Sequence, residues 1–309
     1  MDKQDHVTWQ LGNMLLGRFP RVEISEERFN AIDDSRTKIN AAIDIEELWD
    51  AVVRNYRAYE LAQASLSIMH MTDFSLAEDE FDDNRRNLSV HVNNLLSTTR
   101  AFLDVTPQRA RDLGGEALMK EFKAYTNHAY DASKAYQFME ALRNYSQHNG
   151  AAITGLTLGV TRSDKGQLHL EAEDWKLIHT SEARVDSSVL RDHFKAKNLH
   201  LLDHFKDKNG MIAITPLIRE YVQGINQIVL NLRAATVEIE KEALDINASA
   251  EKDLDEAGAS EHARAAIKSD GRGVALDKVY LSTRGTDALN KLRRRNGSLQ
   301  HLTRSTRHA

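Results

Sequence analysis

From Asp44 the apolar positions fall into a helical rhythm: Ile45, Leu48, Val52, Tyr56, Tyr59, Ala62, Leu66 and Met69 recur at threes and fours. That spacing gathers one face of an α-helix, and Asp44 with Glu47 reads as a capping box at its start. A second helix is predicted from about Asp79 to Asp104, on Phe81, Leu88, Val92, Leu95, Leu96, Thr99 and Leu103. Thr106-Pro107 supplies a cap and a first-turn proline for a third, reaching about Asn127. A fourth begins near Asp131, carries Ala135, Phe138, Met139, Leu142 and Tyr145, and stops at Gly150. Four helices with short connections predict an antiparallel bundle over residues 44–150.

The flanks read differently. In residues 1–43, Trp9, Leu11, Leu15, Leu16 and Phe19 before Pro20 support only short helical pieces. After Gly150 the period becomes two: Ile153 to Val160 and Leu168 to Ala172 alternate around Ser163-Asp164-Lys165-Gly166, a β-hairpin pattern. Helical patterning returns from about Ser187 to Lys206, and Thr215-Pro216 opens a long helix reaching about Glu256. Residues 259–309 are looser and basic, with a short strand at Val279-Tyr280-Leu281 and a short helix from Thr286 to Arg295. The expected class is mainly α: a segment of uncertain structure (1–43), the bundle (44–150), and a hairpin with long helices (151–258). The boundary falls near Gly150 unless the long helix folds back onto the bundle.

Composition narrows the chemistry. Three prolines and fifteen glycines in 309 residues agree with long helices, and 41% apolar with 28% charged is the balance of a globular chain. The lack of cysteine removes disulfides, thiolate metal sites and thiol nucleophiles. Met1-Asp2-Lys3-Gln4-Asp5 shows no charged-then-apolar leader, and no apolar run approaches the roughly 18 residues of a membrane span. A cytoplasmic location with no membrane partner is expected. The net charge of −5 hides an acidic cluster at Glu78, Asp79, Glu80, Asp82 and Asp83 and a basic end at Lys291, Arg293, Arg294, Arg295, Arg304 and Arg307. Arg293, Arg294 and Arg295 are candidate RNA contacts that neutralise phosphates; a solvated or partner-binding tail is the alternative.

The stretch richest in chemistry is Arg143-Asn144-Tyr145-Ser146-Gln147-His148, at the predicted end of the fourth helix. A fixed cation and a group that titrates near neutrality are what metal-free phosphodiester cleavage needs. RNA supplies its own nucleophile, the ribose 2′-hydroxyl. The protein need only remove that proton, hold the phosphorane's charge and protonate the leaving oxygen. Five positions of α-helix is a rotation of about 500°, so Arg143 and His148 lie roughly 140° apart and about 7.5 Å apart along the axis. Convergence requires the last turn to open near Gln147-His148, or a second copy across a two-fold axis. The plainer alternative is a surface ion pair of Arg143 with Glu140 or another carboxylate, His148 merely helping to end the helix.

A four-helix bundle ending in Arg-(Asn, Asp or His)-x-x-x-His resembles the HEPN superfamily (higher eukaryote and prokaryote nucleotide-binding domains), matched here by Arg143, Asn144 and His148. The resemblance covers residues 44–150. It implies a metal-independent endoribonuclease without cofactor, its site made by two motifs meeting in a homodimer. Arg143 and His148 are then essential, and Asn144 orients them. The superfamily includes ribonuclease toxins, abortive-infection proteins and RNA-processing enzymes, so a toxin or phage-defence effector with an antitoxin or regulatory partner is expected. It also holds non-catalytic members, which leaves a helical interaction protein or a nucleotide- or RNA-binding protein as the alternative.

Other candidates are weaker. His200 and His204 sit at i, i+4 with Asp203 between them and His193 upstream, a spacing that suits a divalent metal, but no third ligand is evident and no metal is assigned. Asn94, Ser97 and Arg100 fall on adjacent turns that could support the motif, although Arg100 could equally pair with Asp104. Gly271-Arg272-Gly273 lacks the lysine and strand–helix context of a phosphate loop, and Gly114-Gly115 interrupts a helix or makes a short turn.

Overall fold

Glycine, not proline, breaks the second helix, and ahead of residue 26 the described N-terminal residues form two strands where short helices were expected. A computed structural model describes residues 7–72, 78–162, 177–270, 272–281 and 284–297. In chain order the elements are β1 (Thr8–Asn13), β2 (Val22–Glu23), α1 (Glu26–Thr72), α2 (Glu78–Ala132), α3 (Lys134–His148), β3 (Gly155–Arg162) and β4 (Leu177–Asp186). They continue with α4 (Ser187–Arg191), a 3-10 turn (Ala196–Asn198), α5 (Leu199–Phe205), β5 (Met211–Ala213), α6 (Ile214–Glu256), β6 (Arg264–Ser269), β7 (Ala275–Tyr280) and α7 (Arg284–Arg295). The class is mainly α. Among the described residues, no helix is long and apolar enough to cross a membrane.

α1 begins eighteen residues before the expected Asp44. Ser25 caps it, its Oγ accepting from Arg28 N at 3.2 Å, and the buried Phe29, Ile32, Ile39 and Ala42 carry the rhythm upstream. Asp44 is therefore no cap; it lies inside the helix and pairs with Arg109 Nε at 2.9 Å. The second and third predicted helices are one element, with Pro107 in its interior. Thr106 cannot act as an exposed cap because it is fully buried. The break falls at Gly114 (φ −136°, ψ 18°) and Gly115 (φ 72°, ψ −167°). Gly115 occupies a region of backbone space that is nearly closed to other residues. A Cβ there would meet no atom within 4 Å, so its penalty is backbone strain alone. Gly115→Ala is expected to lower the free energy of urea unfolding by about 1–3 kcal/mol; an unchanged midpoint would show that the turn reaches an ordinary φ without cost.

Contacts divide the chain elsewhere than at Gly150, into two interleaved units. One comprises the described residues through Glu47 with Val105–Lys123 and Leu230–Gly297. Its antiparallel sheet runs β2-β1-β6-β7, so residues expected to be loosely structured after 259 are built into it. Leu11, Ala266, Val279 and Leu281 pack with Phe29, Ile32, Ala250 and Leu254 of α1 and α6 into a core. The same unit holds an ionic network. Glu46, its side chain 2% exposed, takes Arg233 through Nε at 2.8 Å and Nη2 at 2.6 Å, and Arg293 Nε at 2.8 Å. Glu240 takes Arg293 Nη1 at 2.7 Å and Nη2 at 2.8 Å, and accepts from Thr236 Oγ1 at 2.6 Å. Burial works against the charge of Arg293, but its bonds and charge interactions with Glu240 and Glu46 outweigh it and raise its pKa.

The other unit comprises Leu48–Asp104 and Ala124–Val229. Trp49 and Phe102 stack obliquely across α1 and α2 at 6.3 Å. Arg219 of α6 grips Glu60 of α1 through two bonds of 2.7 and 2.8 Å, and Tyr59 Oη shares a 2.7 Å bond with Thr215 Oγ1. Tyr221 of α6 donates to Glu140 of α3 at 2.5 Å and meets Tyr136 edge-on at 4.8 Å. The start of the long helix thus lies with the predicted bundle segments, the fold-back that would join them. β3 pairs antiparallel with β4, and β4 with β5. The predicted hairpin keeps its first strand, but its turn and its second strand at Leu168 to Ala172 lie outside the described residues. The helix expected from Ser187 to Lys206 is divided into α4, the turn and α5.

Candidate functional site

α3 carries the motif. Ser133 starts it, Oγ accepting from Tyr136 N at 3.0 Å and donating to Glu220 at 2.6 Å. Its buried face is Ala135, Tyr136, Phe138, Met139, Ala141, Leu142 and Tyr145. The helix holds through His148, and Asn149 N donates to Tyr145 O at 2.8 Å to close the last turn. Gly150 follows because a Cβ there would stand 2.6 Å from the Tyr145 hydroxyl. The last turn therefore does not open, and within one chain Arg143 and His148 keep the roughly 140° separation of a regular helix.

Arg143 is half-buried. Its Nη1 donates to Asn144 Oδ1 at 3.2 Å, while Nε is buried with no hydrogen-bond partner among the described residues. The ion pair with Glu140 is not formed: Glu140 accepts from Tyr221 and lies 3.9 Å from Arg100 Nη1. Tyr221 and Arg100 come from other helices and draw the carboxylate to their side. Asn144 and His148 are exposed. Tyr145 is a packing residue; burial raises its hydroxyl pKa, keeping it a neutral phenol.

The remaining candidates separate. Arg100 binds Asp104 at 2.7 Å, and Asn94 and Ser97 are exposed. Asp203 is taken by Arg191 at 3.0 Å and Lys206 at 2.6 Å, and His204 Nδ1 lies 3.5 Å from Lys134 Nζ. Among the described residues, no three His, Asp or Glu side chains are grouped to hold a metal ion. Of the three C-terminal arginines, Arg294 and Arg295 are exposed, but the Nε, Nη1 and Nη2 of Arg293 all bond to Glu46 and Glu240. Its guanidinium cannot also clamp a phosphate without vacating two buried carboxylates. Arg304 and Arg307 lie outside the described residues.

The structure adds one neighbour that sequence placed elsewhere. His193, read as a weak metal candidate, sets its ring 5.3 Å from that of Tyr145, at the motif end of α3. No local pattern announces this, since the two are 48 positions apart. No protein-family model matches the chain, and neither a curated protein nor a solved structure matches it.

Proposed function

We propose that the chain is a metal-independent endoribonuclease of HEPN type, with a site completed by two copies of α3 in a homodimer. The observation that carries this reading is the state of Arg143: half-buried on a bundle helix, among the described residues its side chain takes no carboxylate and bonds to Asn144 alone. Arg219, Arg233, Arg264 and Arg293, which are also largely withdrawn from solvent, are each paired with acids. An arginine with no counter-ion among the described residues, its guanidinium bonded to a neutral amide, keeps its charge and its fork for a phosphate. Asn144 then plays the orienting part that the resemblance gives it.

In this reading an imidazole of His148 takes the proton of the ribose 2′-hydroxyl, whose oxygen bonds to phosphorus. Arg143 holds the non-bridging oxygens as their charge grows. The 5′-oxygen leaves with a proton from the second copy's imidazole, giving a 2′,3′-cyclic phosphate and a 5′-hydroxyl. The chain then acts in the cytoplasm as a toxin or phage-defence effector held in check by an antitoxin or other regulatory protein. The test is incubation of the purified protein with an end-labelled, mixed-sequence RNA in excess chelator. Internal cuts ending in cyclic phosphate are expected; intact RNA with and without divalent cations would leave a non-catalytic interaction protein.

A further inference from the structure

We propose that the ribbon Arg191 to Lys208 is the surface on which the RNA strand docks beside His148, gripped through His193, Lys195 and Lys197. Taking RNA as the ligand rests on the nuclease reading above. The ribbon is fastened along α3 by aromatic side chains: Phe138, in the middle of the helix, packs against Phe194 at 5.6 Å and Phe205 at 5.7 Å. His204 meets Lys134 at the start of α3 and His193 meets Tyr145 near its end. The two ends of the ribbon therefore lie about 16 Å apart along the helix.

Its charge runs against that of the chain. Within Arg191 to Lys208 stand five Lys or Arg and three His against three Asp, in a protein of net charge −5. Asp203 is occupied by Arg191 and Lys206, and Asp207 by Arg184 and the amides of Asn209 and Met211. Asp192 alone is left to offset Lys195, Lys197 and Lys208, which have no carboxylate partner among the described residues. Helix geometry puts this charge on the side of His148. That residue follows Tyr145 by three positions, about 60° around and about 4.5 Å along, whereas Arg143 projects roughly 160° away from Tyr145. The exposed positions between Arg191 and His200 hold Asp, His, Lys and Ala and no large apolar side chain. That surface suits a phosphate backbone and gives a membrane nothing to bury.

The experiment measures anisotropy of a labelled single-stranded RNA against the full chain, with cleavage followed in parallel. H193Q/K195Q/K197Q is expected to bind at least ten-fold more weakly with an unchanged unfolding midpoint. K195Q/K197Q should flatten the dependence of log affinity on log salt by about 1.4, some 0.7 per lysine, and K195R/K197R should restore both values. Cleavage by wild type with no change in affinity or salt slope in these variants overturns the ribbon and leaves the nuclease standing. RNA bound but never cut, with the same losses, supports the ribbon and removes the nuclease. No RNA binding, or binding of polyglutamate in its place, overturns both.

Discussion

Arg143→Ala and His148→Ala are each expected to reduce RNA cleavage by about 10²–10⁴-fold without moving the unfolding midpoint. Neither side chain belongs to the core: His148 is exposed at the helix end, and the Arg143 side chain makes one hydrogen bond among the described residues, to Asn144. Arg143→Lys keeps the charge but loses the planar fork, so activity should recover only in part. Because α3 is regular to its end, the proposed nuclease site would take Arg143 from one copy and His148 from another. Mixing the two inactive variants should then restore part of the cleavage, since a mixed dimer regains one arginine and one imidazole, with water left to serve the other proton transfer. Recovery on mixing separates a composite site from one formed within a single chain, where two dead copies stay dead. Full activity in either single variant would return α3 to a purely structural part.

How far the sequence foretold this arrangement depends on where each partner lies. α6 was legible because Thr215-Pro216 marks its start and its apolar period runs unbroken to Glu256. β1 was not. A six-residue strand has little local signature, and its partner β6 lies some 250 positions downstream. The early turns of α1 were obscured by polar residues from Asp33 to Lys38, one of which is used in the interior: Ser35 is 1% exposed and accepts from Asn247, 212 residues away. Thr106-Pro107 imitated a helix start because sequence does not reveal that Thr106 is buried. The motif itself was visible at its helix end. That Glu140 would turn away from Arg143 was not, since the groups that hold it come from α2 and α6.

The same reasoning separates Arg293 from its neighbours. In sequence it is one of three consecutive arginines in a basic tail, yet Arg293→Ala is expected to destabilise the protein by about 3–5 kcal/mol, while Arg294→Ala changes stability by less than about 0.5 kcal/mol. Arg293 is the counter-ion of Glu240, whose side chain is 7% exposed, and shares Glu46 with Arg233. Its removal leaves Glu240, among the described residues, with the Thr236 hydroxyl alone, in a place that water does not reach freely. The loss is that of an uncompensated buried charge and exceeds what a surface pair provides. Arg293→Ala combined with Glu240→Gln should therefore be less damaging than the sum of the two single changes, by about 0.5–3 kcal/mol of coupling. Urea unfolding of the four proteins reads this directly. A cost below about 1 kcal/mol for Arg293→Ala would mean that the network is screened like a surface pair, and would restore this arginine to the residues available for RNA.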